Sequence, residues 1–268
     1  MAVPGERGGT MEADRDNAAA DARPFVVPCA DLTPAAPWRW LRLGWQDLRA
    51  APGLSLVFGG VILLVSIGVS ALAWYLGRFA LLATLLSGFV FVAPLIGVGL
   101  YCVSRELAAG RRPTLDKSFV LARRVVGQAG VFALAQLVIL LLWSRAGMMI
   151  NVFVPVQADD WAALIEYLAI GSAVGSIFAS FTFATAAFSL PMIADRDVDM
   201  VTACVSSVNA VLRNKWTMLL WSSLIALLTA VGFVTAYLGL VVIMPWLAYS
   251  AWHAYRETLD ASAWPALD

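Results

Sequence analysis

Forty consecutive residues, Trp216 to Tyr255, contain no Asp, Glu, Lys or Arg. As one straight helix they would reach about 60 Å at about 1.5 Å per residue, twice the roughly 30 Å hydrocarbon core of a bilayer, so the run should fold back on itself. Its weakest helical stretch is GFVTAYLG, Gly232 to Gly239, where glycine and β-branched residues mix. Four further charge-free runs precede it: Leu54–Gly77, Phe79–Ser104, Val125–Ser144 and Tyr167–Ala194. Each has the length of one span. With 61% apolar and only 13% charged residues, the chain holds more apolar surface than one compact core can hide, which excludes an ordinary water-soluble globule. Eighteen basic side chains balance eighteen acidic ones, so net charge gives no reason to expect a nucleic-acid partner.

The expected architecture is an all-α membrane protein with six transmembrane helices, near residues 54–77, 79–104, 126–149, 167–193, 216–235 and 238–255, within a domain over 38–257. Residues 1–37, interrupted by Pro24, Pro28, Pro34 and Pro37, read as a disordered tail, and 258–268 as a second short tail. Basic residues test the count. Six precede the first span, six lie between Arg105 and Arg124, three between Ala194 and Lys215, and Arg256 ends the last run. Sixteen of the eighteen thus fall on one side, which the positive-inside rule makes cytoplasmic, with Arg78 and Arg145 left over. Both termini are expected in the cytoplasm.

A threefold pattern runs through the chain. Each cytoplasmic segment carries an amphipathic stretch before the next hairpin of spans. Trp38, Leu41, Trp45 and Leu48 form the first stripe; Leu115 and Phe119 mark the second, from Thr114 to Arg124; Val201, Cys204, Val205, Val208, Val211 and Leu212 form the third. Such helices suit the headgroup layer, their stripes packing on the cytoplasmic ends of the bundle. Pro94, Pro191 and Pro245 recur in the even-numbered spans. Eleven and twelve residues beyond Pro94 stand Arg105 and Glu106, and the same step from Pro245 reaches Arg256 and Glu257, whereas the middle copy has its charges earlier. A pseudo-threefold repeat of interfacial helix plus two-span hairpin follows, with three proline kinks gathered at one waist.

The most polar motif is Asp195, Arg196, Asp197 and Asp199, directly after the fourth run. Three carboxylates could hold a hard cation, but the preferred reading is a helix start, with Asp197 or Asp199 as the cap. Arg145, near the outer end of the third span, needs a partner at that depth, and Glu166 is the expected one, with Asp159 and Asp160 as rivals. The single histidine, His253, lacks the companions that a haem, zinc or triad site requires, and three widely spaced cysteines give no disulfide framework. No nucleotide or hydrolase fingerprint occurs, so no cofactor is expected. Gly59-Gly60, Gly97 to Gly99 and Gly171 to Gly175 fit close helix approach.

Taken together, LGWQDLRAAPGLSLVFGG, FVAPLIGVGLY, VSREL, LLLWSRA, SLPMIADRDVDMVTA and LGLVVIMPWLAYSAWHAYR resemble a family of proteobacterial multi-pass inner-membrane proteins of unknown function. The resemblance extends from Trp38 to Arg256 and implies a bacterial inner-membrane location; it assigns no catalytic residue. The function expected is a non-enzymatic structural or accessory role, with membrane lipid, another inner-membrane protein or a second copy as partner. The rival is a small-solute or ion transporter with its site at the proline waist, and a weaker third reading gathers Asp195, Asp197, Arg105 and Glu106 into a cytoplasmic active site.

Overall fold

The computed structural model describes residues 24–76, 96–153 and 161–267. Within them the chain is helical: α1 (Ala36–Ala50), α2 (Pro52–Leu76), α3 (96–108), α4 (Leu115–Phe153), α5 (Trp161–Ala186), α6 (Ser189–Asp195), α7 (Met200–Arg213), α8 (Lys215–Val234) and α9 (Leu240–Thr258). Four segments are long and apolar enough to cross a membrane: Pro52–Leu72, Leu115–Ile150, Trp161–Asp195 and Lys215–Val234. They expose the side chains that water would reject, among them Leu64 at 71% and Ile177 at 70%. A lipid solvent accounts for that exposure.

These four correspond to the expected spans near 54–77, 126–149, 167–193 and 216–235. Of the one near 79–104, only its end from residue 96 is described, as α3, and Pro94 lies outside the described residues. The long last run does break, at a turn between Val234 and Leu240 where Ala236 and Tyr237 take positive φ of 53° and 68°. The second amphipathic stretch is not a separate helix, because Leu115 to Arg124 runs without a break into the span as α4. At 39 residues α4 exceeds one bilayer thickness, so one end of it projects beyond the hydrocarbon.

The buried core lies at one end of the bundle, where α1, α7, the ends of α3, α6 and α9, and both terminal segments meet. Trp40 meets Trp221 edge to face at 5.5 Å, and Met192, Tyr255 and Trp264 fill the space around them. Residues 24–37, expected in the disordered tail, are docked there instead. Val27 is fully buried and its N–H donates to Ser206 Oγ at 2.9 Å, while Leu32 N–H donates to Asn214 Oδ1 at 2.7 Å. The disorder expected of residues 1–23 concerns residues outside those described. The second expected tail is docked too: Leu259, Ala261, Trp264 and Leu267 are all buried. Antiparallel bridges join Cys29 to Leu259 and Arg196 to Ala266. Prolines and short apolar side chains conceal this order from a hydropathy reading, because backbone hydrogen bonds to other elements create it.

Helix α1 buries Trp40, Leu41 and Gly44 against α9, while Trp38 of the expected stripe is 57% exposed. The expected lipid anchor Trp45 stacks edge to face on Trp246, whose Nε1–H reaches Leu41 O at 2.7 Å. In α7 the buried face is Thr202, Ala203, Ser206, Ser207 and Ala210, whereas Val201 and Leu212 of the expected stripe are exposed. The expected stripe is therefore split: Val201, Val205 and Leu212 are exposed, Cys204 and Val208 are half-buried, and Val211 packs against the core.

Candidate functional site

Three helix ends converge on one junction. Helix α3 stops in a Schellman motif: Gly110, at φ +67°, donates to Leu107 O at 3.0 Å and Arg111 N–H to Glu106 O at 2.9 Å. The reversal brings the Arg111 guanidinium back onto the Glu106 carboxylate, with Nη2 at 2.7 Å and Nε at 3.0 Å, and Lys117 of α4 closes on the same group. Those charge-assisted bonds hold the Glu106 carboxyl at a pKa of about 2, against the opposing effect of burial.

Helix α6 ends at the buried Asp195. Its Oδ2 accepts from Tyr255 OH at 2.9 Å, Arg256 Nη1 at 3.0 Å and Arg196 Nε at 3.2 Å. The chain then runs extended beside the carboxyl terminus. Leu267 N–H donates to Asp195 O at 3.1 Å, Asp197 N–H to Pro265 O at 2.9 Å, and Arg196 Nη1 to Trp264 O at 3.0 Å. Asp199 caps α7, its Oδ1 accepting the Thr202 N–H at 2.9 Å. Burial alone would raise the Asp199 carboxyl; the bonds from Thr202 together with the N–H groups of Val201 and Asp199 outweigh it and hold the pKa low.

Between α3, α4, α6 and α9 lies a cavity of about 740 Å³. Arg105, Glu106, Asp195 and Arg256, all singled out in the sequence, line it. Asp197 and Asp199 do not; both are exposed beyond it. Among the described residues no three His, Cys, Asp or Glu side chains converge as a metal-ligand set. Glu257 turns the other way and binds α1, accepting from Arg39 Nη2 and from Trp40 Nε1 at 2.9 Å.

The expected Arg145–Glu166 ion pair does not form. Both side chains are exposed, and the ion pairs among the described residues do not include it. Neighbouring positions Ser144, Tyr167 and Leu168 face the α4–α5 groove, which leaves Arg145 and Glu166 turned off it. Asp159 and Asp160 lie outside the described residues. The groove has a volume of about 1310 Å³ and its described lining is apolar apart from groups such as Gln136, Ser144, Ser172 and Thr182. Gly171 finds open space there and Gly175 only the Trp143 ring edge, so the small-residue spacing brings no close helix approach. Pro191 and Pro245 are buried, and neither lines the groove.

Sequence reasoning missed Asp47 of α1. Its Oδ2 accepts from Ser104 Oγ at 2.6 Å and lies 2.9 Å from His253 Nε2, tying α1, α3 and α9 together. The only signal was an acid between Gln46 and Leu48 on an otherwise basic helix.

No curated protein and no solved structure matches the chain. Residues 81–195, less than half of the chain but including Arg105, Glu106 and Asp195, match the family DUF2189, described as a predicted integral membrane protein, whose function is not known.

Proposed function

We propose that this is a multi-pass protein of the bacterial inner membrane, crossing it six times with both termini in the cytoplasm. Its role is accessory and not catalytic: a rigid cytoplasmic cap that offers positive charge and apolar helix faces to lipid headgroups or to another membrane protein. One observation carries the reading. Ala30 N–H donates to Thr258 O at 2.8 Å and Asp260 N–H to Pro28 O at 2.9 Å, so the two terminal segments share a compartment and the crossings between them are even in number.

Six is favoured over four because each hairpin starts and ends at the cap. Helix α2 leaves it at Ser55, which bonds Tyr249 OH, and α3 rejoins it at Ser104, which bonds Asp47. Helix α4 leaves beside Ser118, bonded to Gly99 O, and α6 rejoins at Asp195; α8 leaves beside Asn214 and α9 rejoins at Thr258. Two of the three ends hand a glutamate to the cytoplasmic helix of another unit, Glu106 to α4 and Glu257 back to α1, which supports a ring of three units. The excess of basic residues on the cap side supports its cytoplasmic placement.

Glu106 and Asp195 are each already engaged by two cations, which supports a binding surface over an acid–base pair. The transporter reading has the α4–α5 groove behind it, but it calls for a polar cavity at the prolines, and we place it second. Fusions of alkaline phosphatase and of green fluorescent protein to each terminus test the topology: fluorescence without phosphatase activity at both ends is expected, and termini on opposite faces would end the proposal.

A further inference from the structure

We infer that the cavity at the three-helix junction binds the phosphate group of an anionic ester, with Arg105 as its principal contact. The charge count points there. Five cations, Arg105, Arg111, Lys117, Arg124 and Arg256, line the cavity with three carboxylates, leaving two positive charges in excess. Arg105 is half-buried and has no side-chain partner among the described residues. A guanidinium held part-way out of water without a carboxylate is costly unless an anion completes it. Arg256 also lines the cavity, and with only Nη1 on Asp195 and its side chain 51% exposed it keeps donors beyond that bond. Guanidinium forks arriving from two different helices suit a tetrahedral oxyanion, which accepts from several directions, better than a flat carboxylate.

Size and lining narrow the ligand further. About 740 Å³ far exceeds a bare ion and matches a small-molecule pocket. Val120, Leu121 and Trp252 supply apolar wall beside the arginines, which favours an ester with an organic part over inorganic phosphate. Two sources share that chemistry: the headgroup of an anionic phospholipid, which basic pockets at the cytoplasmic ends of membrane helices attract, and a soluble phosphate ester. The inference rests on the cap reading only for which compartment supplies the ligand.

The test uses the delipidated full-length protein in uncharged detergent, with binding of phosphatidylglycerol, phosphatidylcholine and glycerol 3-phosphate measured by native mass spectrometry and calorimetry. One phosphatidylglycerol per chain is expected, with phosphatidylcholine at least tenfold weaker, and Arg105→Gln weakening phosphatidylglycerol at least tenfold while its melting temperature stays that of the parent. Arg112→Gln, exposed and outside the lining, should bind as the parent does. Tight glycerol 3-phosphate binding lost in Arg105→Gln supports a soluble ester as the source. Parent-like binding in Arg105→Gln, equal binding of both lipids without an Arg105-dependent soluble ester, or no binding of any probe overturns the inference. Failure here with both termini cytoplasmic leaves the topology standing; an Arg105-dependent site with termini on opposite faces does the reverse.

Discussion

A methyl group at position 59 would lie on the carbonyl oxygen of Val241. That carbonyl is the one whose i→i+4 donor Pro245 removes, so helix α9 offers a bare polar group to α2, and only a glycine lets the two backbones close over it. Gly44 does the same for α1, against the backbone of Trp246 and Ser250. The sequence marked Gly59 and Pro245 separately, but nothing in it joined them, since the contact spans helices far apart in the chain. Gly59→Ala forces α2 off α9 and should cost about 1–3 kcal/mol, as overpacking does. Gly60, with open space around its Cα, is the control. Thermal unfolding in detergent should show a lower midpoint for Gly59→Ala and no fall for Gly60→Ala; equal midpoints would refute the close approach.

At the scale of elements, the break between α5 and α6 shows how a proline in a span is accommodated. Pro191 cannot bond the carbonyl of Ala187, and the helix reverts to a turn there. Ser207 of α7 fills the gap, accepting the Phe188 N–H at 3.1 Å and donating to Ala184 O at 2.7 Å. The same contacts turn the serine face of α7 inward and leave only part of its apolar stripe in the core. Periodicity located the helix and its two faces, but in a membrane protein the apolar face need not be the buried one; Ser206 and Ser207 point inward because orphan backbone donors of Val27 and Phe188 need them. The cap was legible only as a choice between two acids, and geometry selects Asp199. Asp199→Ala should therefore cost about 1 kcal/mol, while Asp197→Ala, whose N–H bond to Pro265 O survives the change, costs less. Urea titrations in detergent that reverse this order would remove Asp199 from the capping role.

At the scale of the molecule, hydropathy revealed four membrane-length helices because twenty apolar residues in a row have few other uses, and it failed on the termini because their order resides in the backbone. Neither 24–35 nor 259–267 has a periodic pattern, yet Thr258, Asp195 and Asp197 give them bonding partners, and Trp264 enters the same core as Trp40 and Tyr255. The cap is thus closed by two segments more than two hundred residues apart, so residues 24–35 cannot complete their bonding until residues 258–260 have been made. Removing residues 261–268 takes out Ala261, Trp264 and Leu267, and strips Arg196 and Asp197 of their partners at Trp264 and Pro265. The spans themselves should still insert, since none of their apolar length is lost. Trp264→Ala alone should cost about 3–5 kcal/mol by the usual measure of a buried aromatic, and the truncation more. The expected outcome is normal yield in the membrane fraction, a lowered unfolding midpoint, and faster proteolysis within residues 24–35 as their partners loosen. If the truncated chain melts like the full one, the two termini do not cooperate and the cap is a set of independent contacts; if it leaves the membrane, the terminal segment is needed for insertion and the separation of spans from cap is wrong.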